Sequence, residues 1–177
     1  MPAQASWSES WKVSGRVDPP RGFAFAAIHI SGIDIGFYCV HLKSNLVRGD
    51  VERHQQLNIL KRELATKQLM NHVRDLQSRM VPSVKAVVIG GDFNTNRDQP
   101  LFVSEKTHDL LTSAGFKNGF PDSMPLTERI THPGKGSYPD STFDCIFTKG
   151  ARPVKCRITQ SALSDHHPVT CDLEISP

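Results

Sequence analysis

Two apolar runs, Phe23 to Ile30 and Ile33 to Leu42, flank Ser31-Gly32. That punctuation predicts a hairpin, its second strand ending in Val40-His41-Leu42. From Val51 to Met80 the period lengthens. Leu57, Leu60, Leu64, Val73, Leu76 and Met80 recur largely at spacings of three and four, with Leu69 interrupting the rhythm. Gly49-Asp50 offers an N-cap and Pro82 a stop, so one amphipathic helix is predicted over 51–80. At 1.5 Å per residue it would span about 45 Å, which makes a kink or an early end the expectation. Lys85 to Ile89 reads as a short apolar strand running into Gly90-Gly91-Asp92-Phe93-Asn94, where the two glycines suit a chain that leaves the sheet abruptly. A short helix is predicted over Glu105 to Ser113, then a long loop rich in Pro, Gly, Ser and Thr over 117–141. Ser141 to Thr148 and Val154 to Thr159 read as a strand pair joined through Lys149-Gly150. The last strand, Pro168 to Ile175, alternates Val169, Cys171, Leu173 and Ile175 with polar neighbours. This order of elements indicates α/β or α+β architecture with a mixed or antiparallel sheet.

Composition adds bounds. The chain has 177 residues, enough for one domain with a real core. Residues 1–22 read as a polar extension broken by Pro19, Pro20 and Gly22, with Trp7 and Trp11 docking onto a single domain over 23–177. The net charge of +3 suits an anionic substrate without demanding one. The basic stretch from Lys61 to Arg79 alternates with Glu63 and Asp75, the pattern of a solvated helix face. Of the four cysteines, Cys39 and Cys145 sit in apolar runs and read as buried, reduced core thiols; the even count leaves two disulfides open. Met1 to Ser10 has neither the basic nor the apolar segment of a signal peptide. No apolar run approaches membrane-spanning length. A soluble chain is expected, with the cytoplasm favoured.

Four short stretches place titratable groups at strand ends, where folds collect chemistry from distant parts of a chain. In Tyr38-Cys39-Val40-His41, the histidine reads either as structural or as a donor to a phosphate oxygen or leaving group. In Gly91-Asp92-Phe93-Asn94, an extended backbone would project Asp92 and Asn94 together. The carboxylate could take a proton from a water held by the amide, or the pair could simply close an Asx turn. Asp144 lies inside the apolar strand Thr142 to Phe147, where burial is costly without a partner such as an imidazole. In Leu163-Ser164-Asp165-His166-His167-Pro168-Val169, Asp165 suits a hard cation and His166 general acid–base work. Oxygen ligands favour magnesium or manganese over zinc.

Together these stretches resemble the endonuclease/exonuclease/phosphatase superfamily, which includes pancreatic-type deoxyribonucleases, apurinic/apyrimidinic endonucleases, neutral sphingomyelinases and inositol-polyphosphate 5-phosphatases. The resemblance covers Phe23 to Ile175 and rests on the GDFN and SDHHPV motifs. It implies an α+β sandwich with mixed or antiparallel sheets flanked by helices, and metal-dependent hydrolysis of a phosphodiester by in-line attack. His41 would contact the phosphate, Asp92 and Asn94 would activate or position the water, and Asp144 would orient the catalytic His166. Asp165 would hold Mg²⁺ or Mn²⁺, with Asp92 as a second candidate ligand. His167 receives no role. Arg129, His132, Lys135 and Tyr138 in the long loop offer contacts to a nucleic-acid backbone.

The sequence also departs from that family. The W-N context of its first strand is absent, since Trp7 is followed by Ser8, and no Gln-Glu pair supplies the usual glutamate ligand. The chain therefore reads as a truncated or minimal version of the domain, with an incomplete sheet and an exposed apolar face or edge. A homo-oligomer would cover that face, and Glu9 is the local candidate to replace the glutamate. Two other outcomes follow: a catalytically impaired fragment or binding module of the same fold, or a phosphomonoesterase or sphingomyelinase-like lipid phosphodiesterase. A calcineurin-like metallophosphoesterase is excluded, because its Gly-Asn-His-Asp/Glu element is absent.

Overall fold

The computed structural model describes residues 21–46 and 50–175. Trp7, Glu9, Trp11 and Gly49, with the roles expected of them, lie outside the described residues. The hairpin forms as predicted. Strands β1 (Phe23–Ile30) and β2 (Ile33–His41) pair antiparallel across Ser31 and Gly32, both with positive φ. Two left-handed residues give the turn whose twist matches its strands. Alternation then sorts the side chains. Phe23, Phe25, Tyr38 and Val40 join one core, while Ala24, Ala26 and Cys39 are exposed on the opposite face.

Helix α1 (Val51–Asp75) crosses over to β3 (Val84–Asp92), which lies parallel to β2. Asp50 caps the helix by accepting from the Arg53 amide at 3.2 Å. The expected early end occurs at Asp75, where the backbone opens into a π turn over Leu76–Met80. The face buried by α1 differs from the apolar pattern. Leu69, which seemed to break the rhythm, is 2% exposed, and Leu60 and Met80 face outward. The buried stripe runs Asn58, Arg62, Ala65, Thr66, Gln68, Leu69, His72, Val73 and Leu76. Three of its polar members have partners: Arg62 forks onto Glu105, the Thr66 hydroxyl donates to the Arg62 carbonyl, and His72 Nδ1 meets the Tyr38 hydroxyl at 2.8 Å, whereas Asn58 Nδ2 and Gln68 Nε2 are buried without one. Hydrophobic periodicity misses such a face because satisfied polar groups tolerate burial. Arg62, assigned above to a solvated face, is fully buried.

Strand β3 also corrects the expectation at its end. The chain stays in the sheet through Gly90, Gly91 and Asp92, pairing with β2 on one side and with β5 (Asp144–Lys149) on the other. Gly91 has a φ of 137°, and a Cβ there would lie 2.0 Å from the Val40 carbonyl oxygen. The glycine is thus required by close approach and backbone angle while the ladder continues. Helix α2 (Thr107–Ser113) follows, and the supposedly bare loop contains β4 (Lys117–Asn118), a 3₁₀ turn over Leu126–Glu128 and a bridge between His132 and Ser141. The five-stranded mixed sheet has the order β1-β2-β3-β5-β4.

The predicted pairing of the next two strands does not occur. After β5 the chain turns at Gly150, where φ is 75° and a Cβ would meet the Lys85 carbonyl at 2.0 Å. β6 (Arg152–Ile158) therefore leaves the first sheet and pairs antiparallel with β7 (Val169–Glu174) in a second. The helices cover one face of the large sheet over a core that includes Leu69, Leu76, Val87, Ile89, Phe93 and Phe147. On the other face, Leu173 and Ile175 pack against Ile35, Ala86, Val88 and Ala151. This second layer is narrow, and Ala24, Ala26, Ile28, Ile30 and Cys39 stay exposed. Cys145 is buried as expected, but Cys39 is exposed, and all four cysteines are free thiols. Among the described residues no helix is long and apolar enough to cross a membrane.

Candidate active site

The face between the two sheets collects the candidate residues at one end. His41 closes β2, Asp92 closes β3 and Asp144 opens β5. The register sets His41 beside Asp92 and Asp92 beside Asp144 on adjacent strands. A parallel strand and an antiparallel one thus deliver a histidine and two carboxylates in one row. His41 Nε2 lies 3.5 Å from Asp92 Oδ2, beyond a good hydrogen bond, with the imidazole largely exposed. The fourth residue, His166, comes from the loop before β7 and brings Nδ1 to 2.7 Å from Asp144 Oδ2. Asp165 beside it is exposed. Its local turn is set by Ser164, whose hydroxyl oxygen accepts from the His166 amide at 3.1 Å.

Asn94 bends the chain just beyond β3, with φ of 52°. Its backbone amide donates to Asp92 Oδ1 at 2.8 Å, and its Nδ2 donates to Asp92 Oδ2 at 2.7 Å and to the Leu42 carbonyl at 3.2 Å. Of the two outlooks for this pair, the Asx-type turn is the one that forms, and it locks the carboxylate in place. The amide nitrogen expected to hold water or phosphate is committed to Asp92 instead. Between the two, Phe93 is fully buried against Phe147.

The electrostatics follow from this crowding. Burial raises the Asp92 pKa above its ordinary value and the Asp144 charge raises it further, opposed by the Asn94 amide, His166 and His41. Burial acts to lower the pKa of His166, but the hydrogen bond and charge of Asp144, with Asp92 and Asp165, outweigh it and hold the imidazole above its usual value.

Several residues that position the site were invisible as site residues in the sequence. Thr131 is fully buried, and its hydroxyl accepts from the Phe143 amide at 2.9 Å and the Asp144 amide at 3.0 Å. Its carbonyl accepts from the His167 amide at 2.7 Å, so one threonine ties Asp144 to the strand entry after His166. His167 serves backbone geometry here: its Nδ1 accepts from the Ser161 amide at 3.2 Å. Behind Asn94, Asn45 Nδ2 donates to the Asn94 carbonyl at 2.9 Å, and Asn45 Oδ1 accepts from Arg62 at 2.8 Å. Arg62 also forks onto Glu105 at 2.7 and 2.6 Å. Nothing in apolar periodicity signals such partners; only the sequence proximity of Asn45 to His41 hinted at one.

The long loop divides. His132 joins the site, its ring 4.8 Å from that of His166 and 5.5 Å from that of Phe143. Arg129 is occupied by a fork onto Asp98 at 2.6 and 3.0 Å, while Lys135 and Tyr138 are exposed. His132, Asp165 and His166 hold ligand atoms within 4.8 Å of one another, and His132 Nδ1 is buried with no partner. Two imidazoles and a carboxylate brought this close fit a divalent cation. Two nitrogens with one oxygen would favour a transition metal, whereas Asp92, Asp144 and Asp165 supply the oxygens that magnesium prefers.

Neither a protein-family model nor a curated protein matches the sequence. Solved structures match its fold. An endonuclease/exonuclease/phosphatase family protein from Leptotrichia buccalis superposes with a TM-score of 0.57 at 18% identity, over 86% of this chain and 53% of that one. Humanized D. rerio TDP2 gives 0.53 at 15% identity, over 86% and 60%. A double mutant of Staphylococcus aureus beta toxin with bound magnesium ions gives 0.51 at 18% identity, over 85% and 57%. The chain has the α+β fold of these proteins and spans between 53% and 60% of their lengths.

Proposed function

We propose, taking the endonuclease/exonuclease/phosphatase fold as premise, that this chain hydrolyses phosphodiesters with a divalent cation, nucleic acid being the leading substrate class. The observation that carries this reading is the row His41, Asp92, Asp144 with His166 bonded to Asp144 at 2.7 Å. Asp144 accepts from His166 Nδ1, which leaves Nε2 facing the cleft as the proton-handling atom. Asp92, held by Asn94 and raised in pKa by burial and by Asp144, is suited to take a proton from an attacking water. His41 stands at the open side of the row, where an imidazole N–H can donate to a phosphate oxygen. Asp165 and Asp92 would hold Mg²⁺ or Mn²⁺, which when bound offsets charge on the phosphoryl oxygens. Lys135, Tyr138 and His132 on the adjoining loop supply backbone contacts for a polyanion.

A second reading, binding without turnover, is favoured by one observation: no Gln-Glu pair exists in the chain to supply the family's glutamate ligand. Nicking of supercoiled plasmid DNA with Mg²⁺, beside an Asp92→Ala variant, separates the two. The hydrolytic reading expects nicking by the wild-type chain and at least a hundredfold loss in the variant. DNA retention with no nicking by either protein would transfer support to the binding module.

A further inference from the structure

Among the described residues the second sheet is a ribbon of two strands, β6 and β7, and the loop joining them carries Asp165 and His166. Two paired strands are marginally stable without further support, so whatever ties β6 to β7 also steadies that loop. On the outer face Arg157 reaches both carboxylate oxygens of Asp172, at 3.0 and 2.8 Å, and Arg152 pairs with Glu174. These ion pairs are exposed and contribute little. On the inner face Cys156 lies directly opposite Cys171.

The register makes the two cysteines a close pair. Just beyond the strand ends the Thr159 amide donates to the Pro168 carbonyl at 3.0 Å, which marks 159 and 168 as a hydrogen-bonded pair. Along an antiparallel ladder such pairs alternate with non-hydrogen-bonded ones. Arg157 and Thr170 therefore fall on the next hydrogen-bonded pair, and Cys156 and Cys171 on a non-hydrogen-bonded one. Side chains come closest at such pairs, whose Cα atoms lie about 4.5 Å apart. Disulfides bridge Cα separations of about 4.4–6.8 Å.

The large sheet shows the same convergence from the other side. Gly119 continues β4, donating its amide to the Ile146 carbonyl at 2.7 Å. A Cβ on this glycine would lie 2.3 Å from Cys156 Sγ and 3.4 Å from Cys171 Sγ, so both sulfurs crowd the space its missing side chain leaves. Both cysteines are half-buried free thiols, and Cys156 packs against the helix-side core. Burial, and after it the Cys171 thiol, hold Cys156 above its ordinary pKa, which leaves Cys171 as the sulfur that first meets an oxidant.

We propose that Cys156 and Cys171 are a redox modification site, closing into a reversible disulfide that staples β6 to β7 beneath the loop bearing Asp165 and His166. The oxidant is a small disulfide such as oxidised glutathione. The Cys171 thiolate attacks one of its sulfurs, forming a mixed disulfide and releasing one glutathione thiolate, which takes up a proton. Cys156 then gives up its proton to water and attacks Cys171 Sγ, expelling the second glutathione. Two protein thiols are oxidised to one disulfide, and one glutathione disulfide is reduced to two thiols. The bond does not depend on the hydrolytic reading; its consequence for the site, a steadier His166, rests on it.

The test treats the full chain carrying Cys39→Ser, which removes the exposed thiol, with excess oxidised glutathione, followed by tryptic digestion without reductant and mass spectrometry. Trypsin cuts after Lys155 and Arg157, so the bond would join Cys156-Arg157 to the C-terminal peptide starting at Ile158. The linked product should be lighter by two hydrogens than the two peptides together, revert with dithiothreitol, and be absent when either Cys156→Ser or Cys171→Ser is added. Oxidation should raise the thermal unfolding midpoint by about 5 °C or more, because the cross-link closes a loop over 157–170. The His166 and His167 amides should exchange hydrogen more slowly. Should a serine variant fail to fold, the peptide map of the Cys39→Ser chain decides alone. The proposal is overturned if Cys156 and Cys171 stay reduced or carry only glutathione, if Cys145 replaces either in the linked product, or if the midpoint does not rise. Absence of plasmid nicking in both redox states, with the linked peptide present, would sink the hydrolytic reading and leave the disulfide standing.

Discussion

Replacing Arg62 by methionine tests the packing that supports the site. The guanidinium is fully buried and makes four hydrogen bonds, two to Glu105 and one each to the Lys43 carbonyl and Asn45 Oδ1. Methionine keeps much of the stem volume and removes every donor. Glu105 would then sit in the interior with the Thr107 hydroxyl as its remaining side-chain donor. Breaking one half of a buried ion pair costs about 3–5 kcal/mol. That is a large share of the 5–15 kcal/mol that typically holds a domain together. Pairing Arg62→Met with Glu105→Gln removes the stranded charge, so the double variant should recover about 2 kcal/mol relative to the sum of the single losses. Urea unfolding followed by far-ultraviolet circular dichroism measures all four proteins, read at constant m. The reasoning is refuted if Arg62→Met lies within about 1 kcal/mol of wild type, or if the two single losses simply add.

Three further outcomes follow. Burial pushes the His108 imidazole down to a pKa of about 4 in the folded chain, against about 6.5 for an ordinary histidine. The unfolded chain thus binds the proton first, and stability is full above pH 6.5 and falls as pH drops toward 4. The gap is worth about 3 kcal/mol, and His108→Phe should flatten that part of the denaturation profile; an unchanged slope contradicts it. Asp144→Asn keeps the shape of the side chain but loses the charge that orients His166, so kcat for bis(p-nitrophenyl) phosphate should fall by about 10² to 10⁴. A loss under fivefold would remove Asp144 from the account. Zinc should inhibit the Mg²⁺-supported reaction, since His132, Asp165 and His166 gather within 4.8 Å. His132→Ala should relieve that inhibition, and equal zinc sensitivity in the variant would show the cluster is not its site.

The elements legible in the sequence were those whose signals are local. The Ser31-Gly32 hairpin, the Asp50 cap and the alternation of β7 each depend on a few neighbouring residues, and each appears as expected. What failed depended on partners distant along the chain. Gly90 and Gly91 announced a bend, but Gly91 answers to the Val40 carbonyl on the next strand. The strands on either side of Gly150 looked like a hairpin and belong to different sheets. The α1 stripe misled because Arg62 and His72 are buried with partners 43 and 34 positions away. The candidate site divides in the same way. Motifs pointed to His41, Asp92, Asn94, Asp144, Asp165 and His166, and the fold gathers them at the end of one face. Thr131 carried no mark at all, Asn45 only its nearness to His41, and His132 was legible as a loop contact but not as a neighbour of His166, because each acts through a backbone group or ring supplied by another segment.

The central claim is that His166, oriented by Asp144, moves protons in a cation-supported hydrolysis of a phosphodiester. Its most direct measurement is the initial rate of bis(p-nitrophenyl) phosphate hydrolysis across a Mg²⁺ titration, for wild type and His166→Ala side by side. The account predicts a saturable Mg²⁺ dependence in wild type, abolished by chelation, and a rate at least about a hundredfold lower in the variant. Identical rates for the two proteins at every Mg²⁺ concentration would contradict it.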